Sequence, residues 1–135
     1  MLQQTLKFER YAASHKDPQG PGDARPSALN ILEDEGLVGK LSDKVVLITG
    51  GSSGIGVETV RALAYTGAKV VVGVRNLAKG QKVLDGLTKV NSERIARDQC
   101  ELLEMDLSSL ASVRRAAETF VSRFTQLNLL IMNAG

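Results

Sequence analysis

Apolar and polar positions form regular blocks along the chain, and these blocks predict strands and helices in turn. Short apolar runs rich in β-branched residues predict buried strands at residues 45–48, 70–74, 101–105 and 129–132. In the intervening segments, apolar residues recur every three or four positions, which is typical of helices at residues 57–64, 76–90 and 109–124. Because strand and helix alternate, we expect an α/β fold with a parallel, doubly wound sheet.

Each predicted helix has one apolar face that can cover the sheet. The faces are Val57, Val60 and Ala64 in the first helix, Val83, Leu87 and Val90 in the second, and Leu110, Val113, Ala117, Phe120 and Phe124 in the third. Gly67 is expected to end the first helix, since glycine tolerates the left-handed conformation of a helix C-terminus. Asn76 and either Ser108 or Ser109 are expected to cap the other two helices.

Residues 1–43 differ in character from the rest of the chain. All three prolines lie between Pro18 and Pro26, among glycines, which favours an extended, turn-rich path. Ser27 is then expected to cap a short helix that ends before Gly36. We interpret residues 1–43 as an N-terminal arm that straps onto a domain at residues 44–135; a lid or a partner contact is the less favoured alternative.

Composition limits the classes of function. A chain of 135 residues with 43% hydrophobic residues fits one domain. Its 17 basic and 15 acidic residues are scattered, which gives no nucleic-acid footprint. The single cysteine, Cys100, excludes an internal disulfide, and no other metal-type residue is spaced to join His15 in a metal site. Residues 1–7 lack an apolar core of signal-peptide length and no apolar run is long enough to span a membrane, so we expect a cytoplasmic protein.

The glycine-rich stretch Thr49-Gly50-Gly51-Ser52-Ser53-Gly54-Ile55-Gly56 lies between the first strand and its helix. Gly50 allows a sharp turn, Gly54 allows backbone to approach a phosphate, and Gly56 allows the helix to pack close to the sheet. The helix N-terminus then offers free N–H groups to an anion. The stretch therefore predicts a turn that binds the pyrophosphate of a dinucleotide; a plain strand-to-helix loop is the alternative.

Arg75 ends the second strand, where an acidic residue would bind the adenosine ribose of NAD. A guanidinium at this position favours a 2′-phosphate instead, because it forms charge-assisted hydrogen bonds with phosphate oxygens. Lys79, in the first turn of the next helix, could add a second positive charge. We therefore predict NADP(H) rather than NAD(H); a solvated charge at the strand end is the alternative for either residue.

Three stretches together resemble the short-chain dehydrogenase/reductase family. They are the TGxxxGxG pattern at residues 49–56, the acidic motif at Asp106 and Leu107, and Asn133-Ala134-Gly135 with Met132 before it. Val74-Arg75-Asn76 is similar to the branch with retinol dehydrogenases and WW-domain oxidoreductases, and the arm resembles extensions of fungal members. The resemblance implies a Rossmann-type sheet in the order 3-2-1-4, with Asp106 accepting from the adenine amino group and Asn133 near the cofactor. The residues expected to bind NADP are Gly50, Ser52, Ser53, Gly54, Ile55, Gly56, Arg75, Lys79, Asp106, Leu107, Asn133, Ala134 and Gly135.

The resemblance also implies the activity, an NADP-dependent oxidoreductase acting on an alcohol/carbonyl pair of lipophilic or secondary-metabolite character. The family's catalytic serine, tyrosine and lysine follow the motif at Asn133, so we expect none of them here and assign no catalytic residue. Tyr65 and Lys69 have the family's spacing, but Gly67 should end the helix between them. The sheet would be incomplete, with an unprotected edge and without the family's oligomer interface. The alternative is a truncated, inactive protein that binds nucleotide or a partner.

Overall fold

The computed structural model describes residues 9–135, in which four parallel strands form one sheet in the order β3-β2-β1-β4. The strands are β1 (Val45–Thr49), β2 (Lys69–Val74), β3 (Cys100–Glu104) and β4 (Leu129–Met132). The α-helices are α1 (Ala28–Asp34), α2 (Gly54–Tyr65), α3 (Leu77–Val90) and α4 (Leu110–Arg123), preceded by a 3-10 helix at Ala12–His15. The predicted α/β fold and strand order are confirmed.

The sheet is covered on both faces, and alternate residues of β2 point to opposite sides. Val70 and Val72 pack against one cluster that includes residues of α2 and α3, whereas Val71 packs against another that includes Phe120 of α4. Both clusters are buried, which explains why β2 is apolar at nearly every position. The core therefore fixes the strands whose carboxyl ends form one edge of the sheet.

The predicted caps are confirmed. The side chains of Asn76 and Ser109 accept hydrogen bonds from the backbone N–H groups of the third residues of α3 and α4. Gly67 follows the end of α2 with a φ of +85°. The boundary of α2 differs from the prediction, because the helix begins at Gly54 inside the glycine stretch rather than at Val57. The first turn of α2 is thus part of the glycine turn.

Some residues that were predicted to lie on the buried faces of the helices are exposed, so this part of the prediction is wrong. Val90, at the last position of α3, is 79% exposed, and Leu110 and Ala117 of α4 are also exposed. The buried positions of α4 are instead Ser112, Ala116 and Phe120. Ala116 and Phe120 pack in the same apolar cluster as Leu103 of β3, so this side of α4 faces the sheet.

The connection before β3 also contains a residue that the sequence did not predict to be buried. Residues 91–99 were expected to form a polar link, yet Ile95 is 2% exposed and belongs to the larger apolar cluster. Its backbone N–H donates to the carbonyl of Asn91. One apolar residue in a polar segment therefore anchors the connection to the core.

The described part of the arm contacts the end of α2 that is remote from the glycine turn. Ser27 caps α1, as predicted, and forms a capping box with Asn30. The backbone N–H groups of Gly39 and Leu41 donate to the carbonyls of Tyr65 and Thr66, at 2.9 and 2.8 Å. The predictions for residues 1–8, including the absence of a signal-peptide core, lie outside the described residues. The boundary between arm and domain stays a prediction.

β4 lies at an edge of the sheet and, within residues 9–135, pairs with β1 alone. Leu130 and Met132 on this strand are exposed. The carboxyl end of β4 lies beside that of β1, where the glycine turn begins.

Candidate cofactor-binding site

The glycine turn leaves β1 in a conformation that only glycine adopts easily. Gly50 and Gly54 have φ values of +72° and +53°. A Cβ on Gly54 would meet no heavy atom within 4 Å, so the backbone there borders open space. Ser53 precedes α2 without forming a side-chain cap, which leaves the first N–H groups of the helix free for another acceptor. This combination can bind a phosphate group.

Gly56 and Asn133 both contact the carbonyl oxygen of Gly50 and so stabilise the glycine turn. A Cβ on Gly56 would lie 2.1 Å from the carbonyl oxygen of Gly50, so α2 packs directly on the turn. The Asn133 amide donates to the same oxygen at 3.2 Å. The backbone N–H of Ala134 donates to the hydroxyl of Thr49 at 3.2 Å, which joins the carboxyl ends of β4 and β1.

Arg75 and Lys79 lie at the carboxyl end of β2 and in the first turn of α3, and both are exposed. No described carboxylate lies within ion-pair distance of either side chain. The Asn76 side chain accepts from the backbone N–H of Lys79 at 2.9 Å, which fixes the turn that joins the two cations. Both charges are therefore available to an anion.

Asp106 follows β3 and is held by two serines. The backbone N–H and the hydroxyl of Ser108 donate to its Oδ1, at 3.0 and 2.7 Å. The hydroxyl of Ser112 accepts from the Asp106 backbone N–H at 3.0 Å. The Ser108 hydrogen bonds and the positive charge of Arg75 lower the pKa of Asp106 below its ordinary value. The side chain is thus a charged acceptor at neutral pH.

The turn at Gly50, the two cations and Asp106 share one cleft of about 590 Å³ at the carboxyl ends of the strands. Among its lining residues are nine that the sequence predicted: Gly50, Ser52, Ser53, Arg75, Lys79, Asp106, Leu107, Ala134 and Gly135. The predicted residues outside the lining are Gly54, Ile55, Gly56 and Asn133. Ile55 is 81% exposed, while Gly56 and Asn133 support the turn. Cofactor contact stays a prediction for every residue of the set.

Sequence reasoning missed several residues of the cleft. Thr49, Asn76 and Ser108 all line it, and their polar side chains hold neighbouring backbone or side-chain groups. Gly51 was not given a role, yet a Cβ there would lie 2.5 Å from Val72 and 2.9 Å from Val60. Each of these residues lies next to a predicted one, so a closer reading of the strand ends could have found them.

Tyr65 and Lys69 do not share a helix face, which is the arrangement that the family's pair requires. α2 ends at Tyr65, whose hydroxyl donates to the Asn91 side chain at 2.5 Å. Lys69 begins β2 and pairs with Glu101 at 2.9 Å. Both side chains are engaged at the opposite end of the sheet from the cleft.

Cys100 is buried at the start of β3, and burial raises the pKa of its thiol to about 11. Such a thiol is unreactive at neutral pH. Among residues 9–135, no group of three or more histidine, cysteine or acidic residues could hold a metal ion. None of the helices in this same part of the chain has the length and apolar character needed to cross a membrane.

The family model for short chain dehydrogenases matches residues 44–135, which include every element of the cleft. The chain belongs to the short-chain dehydrogenase family. The resemblance inferred from the glycine turn, Asp106 and Asn133 is confirmed.

Curated relatives include fungal members of this family. The short-chain dehydrogenase/reductase prx1 of Penicillium roqueforti is 50% identical over 129 residues, which are 96% of this chain and 36% of that protein. The oxidoreductase calI of Penicillium decumbens is 44% identical over 133 residues, which are 96% of this chain and 38% of that one. Both matches extend through most of the arm. This short-chain dehydrogenase thus spans little more than a third of the length of either relative.

A match outside the fungi supports the branch that the sequence suggested. The WW domain-containing oxidoreductase of Danio rerio is 38% identical over 112 residues, covering 83% of this chain and 25% of that protein. Among solved structures, a Pseudomonas aeruginosa RhlG/NADP complex is 29% identical, with a TM-score of 0.62 over 73% of this chain and 36% of that one. The N-domain of a bacterial malonyl-CoA reductase with NADP is 27% identical, with a TM-score of 0.63 over 68% of this chain and 16% of that one.

Proposed function

We propose that this chain forms the adenosine-binding half of an NADP(H)-dependent oxidoreductase that acts on an alcohol/carbonyl pair. The observation that carries the proposal is the exposed Arg75 guanidinium, which forms no ion pair among the described residues and lies in the same cleft as the glycine turn. A carboxylate at that position would repel a 2′-phosphate, whereas a guanidinium attracts it. When bound, NADP(H) would supply the hydride chemistry.

The residues of the cleft fit the adenosine part of such a cofactor. The turn at Gly50 would bind the pyrophosphate, with the free N–H groups of α2 as donors. Arg75 and Lys79 would bind the 2′-phosphate, and Asp106 would accept from the adenine amino group. The two solved relatives named above are complexes with NADP, which supports the same class of cofactor for this chain.

The proposed substrate is a lipophilic or secondary-metabolite carbonyl compound or the corresponding alcohol, as the resemblance to the branch with retinol dehydrogenases and WW-domain oxidoreductases implies. No residue of the described chain is assigned to the substrate. The protein from its natural source should oxidise NADPH with members of a panel of aldehydes and ketones. Absence of turnover with every carbonyl and every alcohol of the panel would contradict the enzymatic part of the proposal.

The cofactor preference can be tested with nucleotides that carry only the adenosine half. Calorimetry would compare adenosine 2′,5′-bisphosphate with adenosine 5′-monophosphate. We expect the bisphosphate to bind about 10- to 100-fold more tightly, which is the range for hydrogen bonds to charged groups. Arg75→Asp should abolish this preference.

A matched control separates local contact from net charge. Arg97 is an exposed arginine in the connection before β3, outside the cleft, and Arg97→Asp changes the net charge by the same amount. This variant should keep the preference for the bisphosphate. A ratio of affinities that is unchanged in Arg75→Asp, or lost equally in both variants, would contradict the assignment of the 2′-phosphate to Arg75.

A further inference from the structure

Asp106 is restrained on several of its polar atoms, which leaves its carboxylate in one orientation. Its backbone N–H donates to Ser112, and its carbonyl accepts from the backbone N–H of Ser109 at 3.1 Å. Its Oδ1 accepts both hydrogen bonds of Ser108. Among residues 9–135, no hydrogen bond or ion pair reaches Oδ2, so this oxygen remains available within the cleft.

We propose that Ser108 is a positioning residue that fixes the Asp106 carboxylate so that Oδ2 selects adenine by its amino group. This inference rests on the proposed function, because it concerns the base of the same cofactor. Ser108 itself lies one residue before the cap of α4 and is exposed, so its hydroxyl is not needed to fill the core. The short 2.7 Å contact of that hydroxyl is made to the carboxylate alone.

The direction of the hydrogen bonds explains the selectivity. An ionised carboxylate only accepts hydrogen bonds, and it binds a neighbouring N–H donor more strongly when the carboxylate is charged and held in place. Ser108 occupies Oδ1 with two donors and thereby fixes the orientation of the carboxylate, with Oδ2 left for the ligand. The adenine amino group is a donor suited to the remaining oxygen, whereas a purine that lacks this group offers Oδ2 no partner.

Ser112 and Ser109 distinguish this role from simple support of the turn. Ser112 is 8% exposed, and its hydroxyl holds the backbone of Asp106 rather than the carboxylate. Ser109 caps α4 through its own hydroxyl, which accepts from the backbone N–H of Ser112 at 3.3 Å. Neither hydroxyl contacts Oδ1. Ser109 therefore provides a neighbouring serine whose loss disturbs the helix and leaves the carboxylate contact intact.

The test compares adenosine 2′,5′-bisphosphate with its purine analogue, in which hydrogen replaces the 6-amino group. Both ligands carry both phosphates, so the contribution of the 2′-phosphate cancels in the ratio of their dissociation constants. We expect the wild-type protein to prefer the adenine ligand by about 10-fold, and Ser108→Ala to lower this ratio to about 2- to 3-fold. Ser108→Thr, which keeps a hydroxyl, should retain the preference, and so should Ser109→Ala.

The outcomes separate the two proposals. If Ser108→Ala weakens both ligands equally, or leaves the ratio unchanged, Ser108 does not position the carboxylate and the inference is wrong. An equal affinity of the wild-type protein for both ligands would also overturn it, while a retained preference over adenosine 5′-monophosphate would leave the proposed function standing. Binding of neither bisphosphate would overturn both.

Discussion

The amide of Asn133 donates a hydrogen bond to the carbonyl oxygen of Gly50 at 3.2 Å, and so links the end of β4 to the glycine turn. These residues are far apart in the sequence and meet because β4 pairs with β1, with Met132 opposite Thr49. The same oxygen faces Gly56, where a side chain would have no room. The conformation of the glycine turn therefore depends on contacts from both the strand and the helix.

Gly56→Ala should destabilise the protein and weaken binding of adenosine 2′,5′-bisphosphate. The new methyl group would lie 2.1 Å from the Gly50 oxygen, and separating them requires movement of α2 or of the turn. Overpacking of this kind lowers the free energy of unfolding by about 1–3 kcal/mol, which urea denaturation would measure. Gly86→Ala is the matched control: Gly86 lies inside α3 with no heavy atom within 4 Å of its Cβ position. Alanine there should stabilise the helix by about 0.5–1 kcal/mol, and equal effects of the two variants would contradict this account.

Lys79→Ala should lower the affinity for the bisphosphate by about 2- to 5-fold. This loss is smaller than that expected for a change at Arg75, because an exposed ammonium contributes a screened point charge. The affinity for adenosine 5′-monophosphate should change little. Calorimetry at two salt concentrations would show the difference between wild type and variant shrinking as ionic strength rises. Lys82→Ala, on an exposed position of the same helix but outside the cleft, is the control. A similar loss in Lys82→Ala would indicate a general effect of charge instead of a local contact.

The effect of Ser108 on stability should depend on pH. The hydroxyl and the backbone N–H of Ser108 lower the pKa of Asp106 in the folded state. The positive charge of Arg75 also lowers this pKa, and it is present both in the wild-type protein and in the Ser108→Ala variant. A lowered pKa stabilises the fold above the ordinary carboxyl pKa of about 3.9, and this stabilisation is lost as the pH falls through the folded-state value. Ser108→Ala should thus be less stable than wild type at pH 7, with a difference that shrinks on acidification. Urea denaturation at pH 7, 5 and 3.5 would measure it.

Ser109→Ala provides the comparison for this pH series. It removes the cap of α4, and a hydroxyl cap does not titrate in this range, so its destabilisation should stay constant across the pH values. A Ser108→Ala difference that is equally constant would mean that the hydroxyl acts on the turn and not on the ionised carboxyl.

Cys100 should react slowly with thiol reagents while the protein is folded. The pKa of about 11 leaves about a thousandth of the thiol ionised at pH 8, and the side chain is buried. We expect Cys100 to react at least about 100-fold more slowly in the folded protein than in the unfolded chain. The absorbance change of a disulfide reagent would measure both rates. The double variant Cys100→Ala/Ala96→Cys places the thiol at an exposed position nearby and should react quickly without denaturant. Equal rates for both folded proteins would contradict the burial of Cys100.

The alternation of strands and helices could be predicted because each apolar block has the period of its element, as in the β-branched run of β2. The convergence of the glycine turn, Arg75 and Asp106 on one cleft could be predicted because each follows a strand of the same parallel sheet. The buried face of α4 could not be predicted from apolar periodicity alone, since Leu110 and Ala117 form an apolar stripe that stays exposed beside the true face at Ser112 and Ala116. The positioning role of Ser108 was missed because it depends on the direction of one hydroxyl, which no spacing rule specifies.

Gly51 makes the glycine turn part of the protein interior, because its Cβ position is already occupied by Val72 and Val60. A turn wedged between a strand and a helix has little conformational freedom before a ligand arrives. In the proposed function, a nucleotide would meet backbone N–H groups that are already ordered, so its association would involve little loss of chain entropy. The affinity of the site is thus determined partly by residues that never contact the ligand, and substitutions at Val60 or Val72 that loosen the core should weaken nucleotide binding from a distance.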